Sequence, residues 1–131
     1  MVKMGQKRKG SKKPIKKRFN IKVTPLDLMF SKIVKERADF TCEYCGTKTK
    51  RLNNSHFIGR RYRNTRWLLD NCSCLCFSCH NFMHDFPSVH RDFFVKRIGT
   101  EGVERLEILA RSKVKVDLEE IKAKLGRLIS G

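Results

Sequence analysis

Two Cys-x-x-Cys pairs, separated by thirty residues, constrain this chain more than any other feature of its sequence. Two residues between thiolates let both sulfurs of a pair reach one tetrahedral Zn²⁺, and two pairs complete a closed structural site. Because thirty residues exceed what a compact zinc ribbon needs, we expect a folded segment between the pairs. The alternative is four free, buried thiols. The predicted zinc ligands are Cys42, Cys45, Cys76 and Cys79.

Two further cysteines precede the second pair. Cys72 and Cys74 lie two residues apart on a predicted strand and share its side with Cys76. We interpret both as small apolar core residues. A mixed zinc site that used Cys74 in place of Cys76 would break the two-residue spacing.

The charge balance predicts a polyanionic partner. The 131 residues include 30 Lys or Arg and 13 Asp or Glu, a net charge of +17. DNA is the first candidate and an anionic membrane surface the second. Nine of the basic residues and no acid lie within Met1–Arg18, which predicts a disordered tail over residues 1–20. That tail is either a phosphate-binding arm or a solubilising charge run. The rest of the chain still carries a net charge of +8.

The sequence predicts a protein of a reducing cytoplasm. It contains no run of eighteen apolar residues, and no apolar stretch follows the basic N-terminus as in a secretory signal. Six cysteines in such a compartment favour metal binding over disulfides. We therefore expect no membrane partner.

The apolar periodicity predicts mainly helices. Thr24-Pro25-Leu26-Asp27 is typical of a helix start, with Thr24 as cap and Asp27 in the first turn, and this helix should end before Phe40. Residues 47–69 are basic and irregular, and a strand is expected near residues 71–76. The remaining predicted helices cover about 79–86, 88–99, 101–111 and 117–129.

Four polar residues are candidates for chemistry. His80 and His84 are four apart on a predicted helix, so their imidazoles share one face, the spacing with which two histidines hold one metal. His56 lies between the cysteine pairs in a basic stretch, and a neutral imidazole suits a general base near pH 7, although a histidine among apolar residues is often simply packed. Asn71 can hold a loop by bonding backbone on both sides of it.

Four arginines follow His56 closely. We expect them to contact DNA phosphates, the alternative being a solvated charged loop. They are Arg60, Arg61, Arg63 and Arg66.

Taken in order, these motifs resemble the HNH (ββα-metal, His-Me finger) endonuclease family. The order is Cys42-x-x-Cys45, Ser55-His56-Phe57-Ile58, Asp70-Asn71, and Cys76-x-x-Cys79-His80-x-x-x-His84. Thr65-Arg66-Trp67 before Asp70-Asn71, and the Gly99–Glu107 segment, are similar to phage recombination nucleases of the NinG/Rap kind. The resemblance covers about Cys42 to Arg111.

The resemblance implies an α+β fold: a small zinc-stapled ββα-metal core over about residues 40–87, in a nuclease domain of residues 21–131, with flanking helices over about 25–38 and 88–129. It implies a metal-dependent DNA endonuclease that hydrolyses phosphodiester bonds, acts on recombination or branched DNA intermediates in the bacterial host cytoplasm, and is a monomer or homodimer. His56 takes the general-base position and Asn71 the loop-bracing position. His80 and His84 take the positions that bind a catalytic Mg²⁺, Mn²⁺, Ni²⁺ or Zn²⁺, beside the structural Zn²⁺ of the four cysteines.

One departure from the family pattern bears on the catalytic metal. Where the family carries Asp or His before the base, this chain has Ser55, a poor ligand. The cation would then rest on His80, His84, water and the substrate phosphate, with Asp70 and His90 as further candidates. The alternative function is a non-catalytic zinc module that binds nucleic acid. A weaker alternative is a zinc-stapled, ribosome-associated structural protein.

Overall fold

The computed structural model describes residues 21–49 and 51–130, so the predicted tail over residues 1–20 lies outside the described residues. Five helices, one 3-10 turn and a two-stranded antiparallel sheet make up this part of the chain. In chain order the elements are α1 (Pro25–Arg37), β1 (Leu52–His56), α2 (Arg63–Arg66), the 3-10 turn (Leu69–Asn71), β2 (Cys72–Cys76), α3 (Phe77–Asp85), α4 (Pro87–Ala110) and α5 (Leu118–Ser130), with α4 formed of two helical stretches.

Helix α1 begins where its capping residues predict. The Thr24 hydroxyl accepts a hydrogen bond from the Asp27 backbone N–H at 3.2 Å, and the Asp27 carboxylate accepts one from the Thr24 N–H at 2.8 Å. This reciprocal capping box satisfies backbone donors that a helix start leaves without partners. The buried face of α1, which includes Phe30 and Val34, packs into the core.

The hairpin of β1 and β2 pairs Leu52 with Cys76 and His56 with Cys72. Strand β1 corrects the prediction that residues 47–69 are irregular. Its sequence, Leu-Asn-Asn-Ser-His, carries no alternation of apolar and polar residues, so nothing local favours a strand. Pairing with the fully buried β2 imposes the extended conformation, a case of tertiary context overriding propensity.

Helices α3 and α4 follow the hairpin directly. Helix α4 is interrupted at Gly99, whose φ of 82° and ψ of 162° are non-helical, and this is where the sequence predicted one helix to end and another to begin. A positive φ of this size favours glycine, because it has no Cβ to clash with the backbone.

Two arginines attach the hairpin to the helices on its two sides. Arg37 of α1 and Arg97 of α4 both donate to the backbone carbonyl of Cys72, at 2.8 and 2.9 Å. Both guanidinium groups also pair with Glu43, at 3.7 and 3.4 Å. Glu43 belongs to the first cysteine turn, so this network fixes that turn relative to β2.

Among residues 21–49 and 51–130, none of the helices combines the length and the apolar character that crossing a bilayer requires.

Candidate metal centre and the His56 loop

The four predicted zinc ligands form one cluster. The sulfurs of Cys42, Cys45, Cys76 and Cys79 all lie within 4.8 Å of one another. The Cys45 and Cys76 sulfurs are 3.8 Å apart. A tetrahedral Zn²⁺ with Zn–S bonds of about 2.3 Å requires sulfurs about 3.8 Å apart. The donor set and its spacing therefore fit a structural metal ion such as Zn²⁺.

Local backbone geometry brings the first pair together. The Gly46 N–H donates to the Cys42 carbonyl at 3.0 Å, and the Cys45 N–H donates to the Cys42 sulfur at 3.5 Å. Gly46 completes this turn with a φ of 83°, which glycine adopts without strain. The second pair spans the junction of β2 and α3, where Cys76 occupies the position just before the first helical residue.

The electrostatics of the cluster favour a bound cation. At Cys42 burial opposes ionisation, but backbone N–H groups of Cys45, Cys76 and Tyr44 outweigh it and lower the pKa to about 6. Burial, followed by the neighbouring thiols, raises the pKa of Cys79. One sulfur of the cluster thus ionises readily and another resists ionisation. A divalent metal offsets the mutual repulsion of the thiolates.

Cys72 and Cys74 lie outside this cluster, and both side chains are fully buried. Burial is the main cause that raises the pKa of each thiol. Because both thiols are buried and neither sulfur belongs to the cluster, the structure agrees with the predicted core role.

His56 ends β1 and is held by the loop that follows it. Its Nε2 lies 2.9 Å from the backbone carbonyl oxygen of Arg66. Because a carbonyl only accepts hydrogen bonds, Nε2 carries the hydrogen and Nδ1 of the neutral ring keeps its lone pair. Burial is the largest cause that lowers the pKa of His56, and the charges of Arg60 and Arg66 add to it. The ring is therefore neutral near pH 7.

Asn71 braces this loop, as its predicted position requires. Its Oδ1 accepts a hydrogen bond from the Ile58 N–H at 2.8 Å. Its Nδ2 donates to the carbonyls of Ile58 and Thr65, at 2.9 and 3.0 Å. The Asn71 side chain is fully buried, so these three bonds tie both ends of the loop to the start of β2.

Arg66 corrects one prediction, because its guanidinium is buried and cannot reach a DNA phosphate. Its Nε donates to Asp27 Oδ1 at 2.9 Å, and an NH2 group donates to Oδ2 of the same carboxylate. Trp67 Nε1 donates to Asp27 at 3.0 Å. Burial raises the Asp27 pKa, but bonds from Arg66 and Thr24 outweigh it and bring it to about 2. Arg66 thus anchors the His56 loop to α1.

The other three arginines differ in exposure. Arg60 is partly buried; it donates to the Ile21 carbonyl at 2.9 Å and lies 3.9 Å from Asp27 Oδ2. Arg61 and Arg63 are exposed. Their guanidinium carbons lie 5.0 and 5.9 Å from the ring centres of Tyr62 and Trp67. Arg61 and Arg63 are therefore the two predicted phosphate contacts that remain accessible.

The predicted histidine pair on α3 has two different environments. The His84 side chain is 85 % exposed, and its Nδ1 lies 3.7 Å from Asp85 Oδ1. His80 is partly buried, and its Nδ1 is buried with no hydrogen-bond partner. Burial, followed by the charge of His84, lowers the pKa of His80, so its ring is neutral near pH 7.

The donor atoms of the three predicted imidazoles do not form one cluster, and their sharing of one pocket stays a prediction. In the part of the chain that is described, the four cysteines are the only group of three or more His, Cys, Asp or Glu whose donor atoms cluster. His56 contacts Phe30 of α1, with ring centres 6.3 Å apart, whereas the next residue, Phe57, stacks on Phe94 of α4 at 5.1 Å. Alternation along the strand thus directs His56 towards α1 and its two neighbours, Ser55 and Phe57, towards the side of α3 and α4.

A comparison with models of protein families matches residues 3–128 to the bacteriophage lambda NinG protein. The chain belongs to the NinG family. The match includes the four clustered cysteines, His56 and Asn71 of this NinG-family chain, together with most of its basic N-terminal segment. Neither the comparison with curated proteins nor the comparison with solved structures gave a match.

One structural feature of this NinG-family chain escaped the sequence analysis, and another was named there only as a further candidate for the catalytic metal. The first is the Asp27 carboxylate, which the sequence indicated only as a helix-capping residue. The second is His90, whose partly buried ring contacts Phe57 and Phe94 at 5.4 and 5.3 Å. The four-residue spacing of His90 and Phe94 on a predicted helix was the available signal for a packed imidazole.

Proposed function

We propose that this NinG-family chain is a metal-dependent DNA endonuclease that hydrolyses phosphodiester bonds. The observation that carries the proposal is the hydrogen bond from His56 Nε2 to the Arg66 carbonyl, within a loop that Asn71 braces. This contact fixes one tautomer and leaves Nδ1 able to take a proton. Burial lowers the pKa of His56, so the ring is neutral at the working pH, as a general base needs to be.

In the proposed reaction His56 Nδ1 takes a proton from a water molecule. The water oxygen forms a bond to the scissile phosphorus, and the bond from phosphorus to the 3′ oxygen breaks. The 3′ oxygen leaves with the electron pair and acquires a proton from solvent, so the products carry a 5′-phosphate and a 3′-hydroxyl. General-base assistance of this kind contributes about 10² to 10⁴ in rate.

His80, whose buried Nδ1 has no protein partner, is the proposed ligand of a divalent cation. When bound, the cation would offset the negative charge that develops on the phosphate oxygens. His56 faces α1 and His80 belongs to α3, which packs on the same hairpin. The end of β1, where Ser55 and His56 adjoin, is therefore the proposed position of the scissile phosphate.

The substrate follows from the charge and from the family. A net charge of +17 favours a polyanion. Arg61 and Arg63 are exposed on the loop that His56 joins, so they can contact phosphates on either side of the scissile bond. Phage family membership favours recombination or branched DNA intermediates as the substrate class.

A cleavage assay with the zinc-loaded full chain tests this proposal. Supercoiled plasmid and labelled linear, nicked and branched DNA are each incubated with Mg²⁺, Mn²⁺, Ni²⁺ or Zn²⁺. We expect cleavage with at least one cation, 5′-phosphate and 3′-hydroxyl ends, and loss of cleavage with a chelator that leaves the structural zinc in place. DNA binding without cleavage under every condition would contradict the proposal.

One observation favours a second candidate, a non-catalytic zinc module that binds nucleic acid. His84 is exposed and the three predicted imidazoles do not cluster, so the metal site is less complete than the sequence predicted. That module would bind DNA with the same affinity after His56→Ala, and it would cut no DNA whichever cation is added.

A further inference from the structure

We infer that His90 of α4, rather than His84, is the partner of His80 in holding a divalent cation, between Nδ1 of His80 and Nε2 of His90. This inference deepens the proposed function and rests on it. It supplies a metal ligand that the family pattern would place at Ser55, where this chain has a poor one.

The first argument is that both ring nitrogens lack partners. In the described part of the chain, only four buried side-chain nitrogen or oxygen atoms have no hydrogen bond, and two of them are His80 Nδ1 and His90 Nε2. The other two are Asn54 Oδ1 and Ser73 Oγ. Buried polar atoms without a partner are rare and costly in native proteins, and an ion is a common explanation. Two such atoms on two imidazoles are a suitable donor set for a metal.

The second argument is position. Helices α3 and α4 are separated by a single residue, Phe86, and His80 and His90 lie on either side of this corner. The rings are close enough that His80 contributes, after burial, to lowering the pKa of His90 to about 4. The two nitrogens without partners, His80 Nδ1 and His90 Nε2, thus belong to neighbouring helices that meet at this corner.

The third argument is that the His90 ring is held in place. It meets the ring of Phe57 at 90° and that of Phe94 at 68°, with centres 5.4 and 5.3 Å apart. Phe57 leaves β1 on the same side as Ser55, because side chains two residues apart share a face. His90 thus lies on the α3 and α4 side of the hairpin, next to the proposed position of the phosphate.

His84 lacks these properties. Its ring is 85 % exposed and its Nδ1 faces Asp85. A ligand that is free in solvent must lose more side-chain freedom on binding than a ring already packed between two phenylalanines. Two neutral imidazoles favour Ni²⁺ or Zn²⁺ over Mg²⁺, with water or substrate phosphate oxygens filling the remaining positions.

The test measures Ni²⁺ binding by calorimetry, using the full chain already loaded with one equivalent of zinc. We expect one Ni²⁺ per chain and a Kd raised about tenfold or more by His80→Ala and by His90→Phe. His90→Phe keeps an aromatic ring against Phe57 and Phe94. His84→Ala is the matched control and should change the Kd less than about threefold. Zinc content and Tm of each variant report whether it folds.

Two results would overturn the inference. One is the absence of a second metal equivalent in wild type, and the other is Ni²⁺ binding that weakens in His84→Ala but not in His90→Phe. Binding and cleavage separate this inference from the proposed function. If His90→Phe loses Ni²⁺ while wild type cuts no DNA with any cation, the site is supported and the nuclease proposal fails. If wild type cuts DNA and His90→Phe binds Ni²⁺ normally, the site fails and the nuclease proposal remains.

Discussion

His56 Nε2 and the backbone carbonyl oxygen of Arg66 are 2.9 Å apart, although the two residues lie ten positions apart in the sequence. The contact exists because Arg66 is itself anchored: its guanidinium pairs with Asp27 of α1. The carbonyl therefore has a fixed position, and the imidazole that donates to it has a fixed tautomer. A helix cap near the start of the described chain thus determines which nitrogen of His56 is free to accept a proton.

The first prediction concerns the pH dependence of cleavage. The active form of His56 is neutral, and burial together with the charges of Arg60 and Arg66 holds its pKa below the usual 6.5. The single-turnover rate should be level above pH 6.5 and should fall as the pH drops through the lowered pKa. Arg60→Gln removes one positive charge, so its midpoint should move upward, whereas Arg61→Gln should leave it unchanged. A wild-type midpoint above pH 6.5 would count against His56 as the base.

The second prediction concerns the buried ion pair. Asp27→Asn leaves the Arg66 guanidinium buried without its carboxylate, and breaking such a pair costs about 3 to 5 kcal/mol in the free energy of unfolding. Urea denaturation of the zinc-loaded protein measures this loss, with the exposed Asp92→Asn as control.

The same ion pair makes stability depend on pH. Since the folded pKa of Asp27 is about 2, below its usual 3.8, its stabilising effect is complete above pH 3.8 and is lost as the pH falls towards 2. Equal stability of the two variants would show that the pair is not needed.

The third prediction concerns the structural metal. Cys45 is the exposed member of the cluster, so Cys45→Ser removes one ligand with little change to the core. We expect this variant to lose its zinc and to melt at a much lower temperature, since binding energy at such sites is folding energy. Cys72→Ala, which changes a buried cysteine outside the cluster, should retain one zinc per chain. Metal analysis beside thermal melting distinguishes them; full zinc content in Cys45→Ser would refute the four-sulfur assignment.

The fourth prediction concerns DNA binding. Replacing both exposed arginines, Arg61→Gln and Arg63→Gln, should weaken binding and reduce the slope of log K against log salt by about two, nearly one for each phosphate that is no longer neutralised. Arg66→Gln should lower stability through Asp27 but leave the slope unchanged, because its guanidinium is buried. Fluorescence anisotropy at several salt concentrations gives the slopes. An altered slope in Arg66→Gln alone would reverse the assignment of these arginines.

Features set by short-range spacing could be predicted from the sequence. The Cys-x-x-Cys pairs, the Thr24 cap and the interruption at Gly99 each depend on residues a few positions apart, and the structure has them where expected. The likeness to NinG, which depends on the order of such motifs, is confirmed, whereas the resemblance to HNH endonucleases stays a prediction. Most of the chain's helices followed from apolar periodicity.

Features that join residues far apart in the sequence could not be predicted from it. Asp27 and Arg66 are 39 residues apart, so no periodicity links them, and Arg66 looked like one more surface cation. Strand β1 has no strand-like pattern of its own and forms because β2 is buried beside it. That His56 meets His80 and His84 in one pocket stays a prediction, since their donor atoms form no cluster and the face of His56 depends on a strand that the sequence did not predict.

The central claim is that His56 is the general base of a DNA endonuclease. Its most direct test is the single-turnover cleavage rate of His56→Ala on supercoiled plasmid, with DNA affinity and zinc content measured on the same sample. The account predicts a rate about 10² to 10⁴ below that of wild type, with affinity and zinc unchanged. Cleavage by His56→Ala at the wild-type rate would contradict it.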